Sequence, residues 1–89
     1  MKIIIELFGA SRDFSNKDYL EFNIKKQVEV KDLRKEIIHY LNKNFEGNDR
    51  FKKIVENSAF CSEDNNIIDD NYKIIKDQKI GIVPPIGGG

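Results

Sequence analysis

The sequence predicts one α+β domain, a single sheet covered on one face by one main helix. Three observations lead there: alternating apolar segments at the two ends of the chain, one amphipathic helical stripe between them, and turn-forming residues wherever the period changes. With 89 residues the chain has room for one modest core and no second domain.

Lys2 to Phe8 is the first expected strand, with Ile3, Ile5 and Leu7 on one face and Ile4, Glu6 and Phe8 on the other. Gly9 to Lys17 reads as a turn-forming stretch. In Asp18 to Ile24, Leu20, Phe22 and Ile24 alternate with Tyr19, Glu21 and Asn23, so this segment is expected to close a hairpin on the first strand. From Val30 to Asn44 the period becomes helical: Val30, Leu33, Ile37, Tyr40 and Leu41 share a stripe, with Glu29 at the cap position and Asp32 three residues on. Gly47 and Asn48 break the chain before a short second helix, Arg50 to Glu56, carrying Phe51, Ile54 and Val55. A strand over Ala59 to Ser62, a turn over Glu63 to Asn66 and an edge strand at Ile67 and Ile68 follow. Residues 69–78 read as a connecting loop and Lys79 to Val83 as the last strand. If the first and last strands are central neighbours, Ile3, Ile5, Leu7, Ile80 and Ile82 face the helix, while Ile4, Phe8 and Val83 lie on the open face as ordinary surface or a docking patch.

Charge narrows the partners. Lysine and arginine number 15 against 15 aspartate and glutamate, a formal net charge of zero, so bulk electrostatics favours neither nucleic acid nor an anionic membrane. Lys25-Lys26 and Lys52-Lys53 are expected to be solvated pairs. Cys61 is the single cysteine and cannot form an internal disulfide; it is expected as a small core residue of its strand. The N-terminal apolar run is too short for a signal peptide, and no stretch approaches a membrane span, so a reducing, cytoplasmic setting is expected. His39 falls on the polar side of the helix without a second histidine, and Glu63-Asp64 and Asp69-Asp70 lack the spacing of a calcium loop, so no metal site is expected.

The chain finishes on Ile82-Val83-Pro84-Pro85-Ile86-Gly87-Gly88-Gly89. Pro84 and Pro85 cannot donate ladder hydrogen bonds and fix φ, so they end the last strand and project the chain as an extended stalk. Ile86 is the last side chain; Gly87 to Gly89 have no Cβ and fit a channel as narrow as a backbone. Such an end suits a C-terminal carboxylate presented inside another protein's active site. A carboxylate is a poor electrophile until it is activated, for example as an acyl-adenylate, after which a sulfur nucleophile can attack it.

The terminus "IVPPIGGG", behind "IIKDQKI", resembles the Pro-Pro-Val-x-Gly-Gly end of the small subunit of molybdopterin synthase, the MoaD family. "IELFGASRD", with Phe8, Gly9, Arg12 and Asp13, is similar to that family's first strand and following turn, and "VEVKDLRKEI" to its helix opening. The resemblance implies a ubiquitin-like β-grasp fold: one mixed sheet of four to five strands on one main helix over residues 1–83, with a flexible glycine tail over residues 84–89. It further implies that the Gly89 carboxylate is adenylated by an ATP-using, MoeB- or ThiF-like enzyme and converted to a thiocarboxylate. The sulfur would then pass to a pterin precursor, precursor Z, inside a MoaE-like large subunit. In that picture Pro84, Pro85, Ile86, Gly87 and Gly88 thread the partner's channel, Phe8 and Val83 dock the body, and the chain supplies no catalytic side chain or bound cofactor of its own. A triple-glycine end also resembles the thiamine-pathway carrier ThiS; a carrier for another thiolation pathway and a non-catalytic interaction module or protein-modifying tag of the same fold are further alternatives.

Overall fold

The computed structural model describes residues 1–46 and 48–85. Among these described residues seven strands and two α-helices follow in the order β1 (Lys2–Leu7), β2 (Tyr19–Asn23), β3 (Val28–Glu29), α1 (Val30–Asn44), α2 (Asp49–Asn57), β4 (Ala59–Cys61), β5 (Ile67–Ile68), β6 (Lys73–Ile74) and β7 (Gln78–Val83). A 3-10 segment, Gly9–Phe14, lies between β1 and β2.

The main sheet is mixed and five-stranded, in the order β2-β1-β7-β4-β5. β1 is antiparallel to β2 and parallel to β7, so the first and last expected strands are neighbours in the middle of the sheet. The registers align apolar rows across the strands. Leu20, Ile5 and Ile80 form one row; Leu7, Ile82, Phe60 and Ile68 form the next. All of these except half-buried Ile68 belong to the buried core.

α1 spans the expected residues and buries Val30, Leu33, Ile37 and Leu41 over the sheet. Tyr40, at the margin of that stripe, is half-buried and meets Phe22 edge-on with ring centroids 6.0 Å apart. The start of α1 is capped twice. Asp32 Oδ2 accepts from the Glu29 N–H at 3.0 Å, the reach-back half of a capping box. The Val30 and Lys31 amides donate to the carbonyls of Tyr72 and Asp70, both at 3.0 Å, satisfying two donors that no helical turn can use.

Those two bonds belong to a correction. Residues 69–78, expected as a loop, contain β6, which pairs antiparallel with β3 as a second, two-stranded sheet. Strands of two residues carry no alternation to read, and β6 exists because Ile74 enters the core opposite Val28. The second correction is at Gly9 to Lys17, where a turn was expected. Ser11 and Phe14 are fully buried there, and Phe14 meets Phe51 of α2 at 5.0 Å between centroids. α2 starts one residue earlier and ends one later than expected; Asn48 is its cap, its side chain accepting from the Phe51 N–H at 3.1 Å.

Arg34 joins three of these elements. Its Nη1 donates to the Val55 and Ser58 carbonyls at 2.7 and 2.8 Å, where α2 ends, and its Nη2 pairs with Asp70 at 2.7 Å. The guanidinium also lies 4.8 Å over the Phe60 ring.

Candidate functional site

The central pair β1 and β7 run parallel, so their C-terminal ends emerge together: Phe8 directly follows β1 and Pro84 directly follows β7. This places the expected docking residues and the root of the tail at one end of the sheet. Gly9, the residue after Phe8, has φ +55° and a position for an added Cβ 4.0 Å from Pro84 Cγ. Glycine suits this left-handed conformation, which lets the chain leave β1 and enter the 3-10 segment at once.

Phe8 is held by its backbone. Ser11 Oγ accepts from the Phe8 N–H at 2.9 Å and donates to the Phe8 carbonyl at 2.7 Å, and the Ser11 N–H donates to the same carbonyl at 3.1 Å. With its main chain fixed, the ring remains 40% exposed on the face opposite the helices. It covers Gly81 of β7, which has no side chain and sits opposite Cys61 of β4. Strand alternation puts Val83 on the same face as Gly81, and Val83 is half-buried opposite Ala59. Ile4, also half-buried, lies on the same face of β1, separated from Phe8 by Glu6.

Cys61 is a correction to the core placement. It is half-buried on this open face, because its strand neighbour Phe60 takes the inward position opposite Ile82. Beyond the strip, the face becomes polar. Glu6, Glu63 and Lys79 line a depression of about 400 Å³ with Phe8 and Cys61, and Glu63 Oε1 accepts from the Lys79 N–H at 2.7 Å.

Of the remaining candidate residues, Pro84 is half-buried and Pro85 exposed where the chain leaves β7. Ile86, Gly87, Gly88 and Gly89 lie outside the described residues. His39 is exposed on α1, as are Lys25, Lys26, Lys52 and Lys53. No three His, Cys, Asp or Glu side chains come together among the described residues, and no helix among them is long and apolar enough to cross a membrane. Gly81 is the site residue that the strand reading passed over. A glycine inside an otherwise apolar strand is a signal of close approach by another group.

No family model matches the chain, and no curated protein does. Solved structures do resemble it, among them these two. One is described as a candidate molybdopterin converting factor, subunit 1, from Pyrococcus furiosus: TM-score 0.69, 19% identity, covering 96% of this chain and 98% of that one. The other is SAMP1 from Haloferax volcanii, with TM-score 0.69 and 12% identity over the whole of both chains. Together with the mixed five-stranded sheet and its overlying helix, the likeness establishes the fold: the chain is a ubiquitin-like β-grasp domain.

Proposed function

We propose that this chain is a ubiquitin-like sulfur carrier and serves as the small subunit of a molybdopterin synthase. One observation carries the reading. Pro84 and Pro85 lead directly off the central strand β7 beside the apolar strip of Phe8 and Val83, and the sequence then continues as Ile86-Gly87-Gly88-Gly89. The likeness to the Pyrococcus furiosus molybdopterin converting factor subunit supports it.

The chemistry follows from the terminus. A partner enzyme joins the Gly89 carboxylate to the α-phosphate of ATP, releasing pyrophosphate and leaving an acyl-adenylate. A persulfide then attacks the acyl carbon through its outer sulfur and AMP leaves with the bonding pair; a second thiol cleaves the resulting acyl disulfide, becoming disulfide-bonded to the donor's inner sulfur and releasing the thiocarboxylate at Gly89. Insertion of the tail into a large, MoaE-like subunit delivers that sulfur to a pterin precursor. The chain's own share is presentation: two prolines set the direction, Gly87 and Gly88 fill a narrow channel, and Phe8 and Val83 seat the body at its mouth.

Intact mass spectrometry of the chain co-expressed with its host's sulfur-transfer enzymes tests the reading. A gain of about 16 Da, oxygen replaced by sulfur at an activated acyl group, localised to Gly89 by fragmentation, is expected, and deletion of Gly89 should abolish it with folding intact. A terminus that stays unmodified with purified activating enzyme and ATP would remove the proposal. The same activated carboxylate also suits a protein-modifying tag, and isopeptide conjugates to lysine would favour that use; transfer to a thiamine precursor would favour a ThiS-like carrier.

A further inference from the structure

On the other side of the tail root from Phe8 lies a cleft of about 450 Å³ between the 3-10 segment and α2, with Pro84 and Pro85 as one wall. α2 contributes Arg50, Lys53, Ile54 and Asn57, positions i, i+3, i+4 and i+7 of one helical face. The opposite face of the same helix, Phe51 and Val55, is buried in the core, so the cleft-lining stripe cannot rotate away. Ile54 is half-buried, and with Ala10 and the prolines it makes the floor apolar; Arg50 and Lys53 stand exposed at its edge. Among the described residues no carboxylate lines the cleft and neither cation joins an ion pair.

The position of this cleft has a consequence for any protein that takes in the tail, and the inference rests on the tail-insertion reading above. A channel that admits the chain beyond Pro85 must close around Pro84 and Pro85, and in doing so covers both flanks of the root. One flank is the apolar strip. The other is this cleft, where an apolar rim would strip water from two cations without replacing it. We infer that the Arg50–Lys53 cleft docks an acidic segment on the rim of the activating enzyme's channel, with carboxylates meeting the two cations and an apolar side chain entering over Ile54. The two flanks then divide the work: the apolar strip supplies buried area, and the cationic cleft fixes orientation and speeds encounter. The tail therefore enters in one rotational setting.

The test uses the full-length chain, ATP and the adenylating enzyme of the same organism, reading pyrophosphate release against carrier concentration at low and physiological salt. For Arg50→Glu with Lys53→Glu, KM for the carrier should rise about tenfold or more at low salt, with kcat changed less than about twofold, and the dependence of kcat/KM on salt should flatten or reverse. Arg50→Lys with Lys53→Arg keeps both charges and should retain the wild-type KM. Circular dichroism checks the fold of each variant. If the charge reversal disturbs it, Arg50→Gln with Lys53→Gln carries the test, with a smaller rise in KM expected. Equal KM for the charge-altered and wild-type chains, with wild-type turnover intact, overturns this inference and leaves the tail reading standing. No pyrophosphate release from the wild-type chain overturns the tail reading and this inference with it.

Discussion

Gly81 stands beneath the Phe8 ring at a separation that admits no side chain: a Cβ there would lie 2.9 Å from Phe8 Cε2 and 2.7 Å from Cys61 Sγ. Both distances are far below ordinary carbon contact, so a substitution must move the ring, the thiol or both. Neither neighbour is backbone. The Phe8 ring is 40% exposed and Cys61 half-buried, so each can turn outward. We predict that Gly81→Ala lowers stability by only about 1 kcal/mol, the low end of the range for overpacking, while displacing Phe8 from its seat. Urea denaturation measures the first effect, and the Phe8 ring resonances report the second. Adding Cys61→Ala to Gly81→Ala should recover part of the loss, a coupling expected only if the thiol shares the crowding.

Arg34 should behave as a structural clamp. Its side chain is 18% exposed and its Nη1 closes two carbonyls at the end of α2, whereas its ion-pair partner Asp70 is 53% exposed. We therefore expect Arg34→Ala to cost about 2 to 3 kcal/mol, as for hydrogen bonds from a charged group. Asp70→Asn should cost less than about 1 kcal/mol, because a carboxylate so exposed is screened by solvent. Arg34→Lys should fail to rescue, since an ammonium lacks the planar fork that reaches Val55, Ser58 and Asp70 at once. Equal denaturation midpoints for the Asp70 and Arg34 variants would contradict this division.

These two sites differ in how far the sequence foretold them. The central strands and α1 were legible because their periods are long enough to count: Ile3, Ile5 and Leu7 alternate, and Val30, Leu33, Ile37 and Leu41 keep helical spacing. Phe8 and Val83 were legible as outward positions of those same strands. β3 and β6 were not, since neither pair is set off by a turn as Ile67 and Ile68 are by Glu63 to Asn66, and Ile74 becomes a core residue only through pairing with Val28. The 3-10 segment was hidden for a different reason: "GASRDF" is rich in turn-formers, and only the burial of Ser11 and Phe14 makes it ordered structure. Cys61 was misplaced because a three-residue strand leaves its parity open until Phe60 is seen opposite Ile82. The cleft at the tail root depends on contacts between α2 and residues about forty positions earlier, which local pattern cannot reveal.

Gly9 offers a test of how tightly the root of the tail is tied to Phe8. Its φ of +55° is the left-handed conformation, and Gly9→Ala should cost about 1 to 2 kcal/mol from that alone. The added methyl meets Pro84 Cγ at 4.0 Å, an ordinary contact, so no steric penalty is expected on top. Thermal denaturation should show the loss. A Gly9→Ala chain as stable as the wild type would mean that the turn relaxes into another conformation, and the backbone bonds between Phe8 and Ser11 would then differ in its amide spectrum.

Phe8, just before the 3-10 segment, and Phe14, its last residue, should separate binding from folding. Phe14 is fully buried against Phe51, so Phe14→Ala should cost about 3 to 5 kcal/mol and leave the domain marginal or unfolded. Phe8 points its ring to solvent and is held through its main chain, which Phe8→Asp leaves intact. That variant should melt within a few degrees of the wild type. Against the purified activating enzyme it should bind more weakly by about 2 kcal/mol or more, the loss expected of an aromatic anchor at the centre of an interface. Titration calorimetry with the full-length chain reads the difference. Unchanged affinity would make the Phe8 strip ordinary surface and leave the tail and its flanking cleft to carry recognition, whereas a variant that binds weakly because it has unfolded would show itself first in the melting curve.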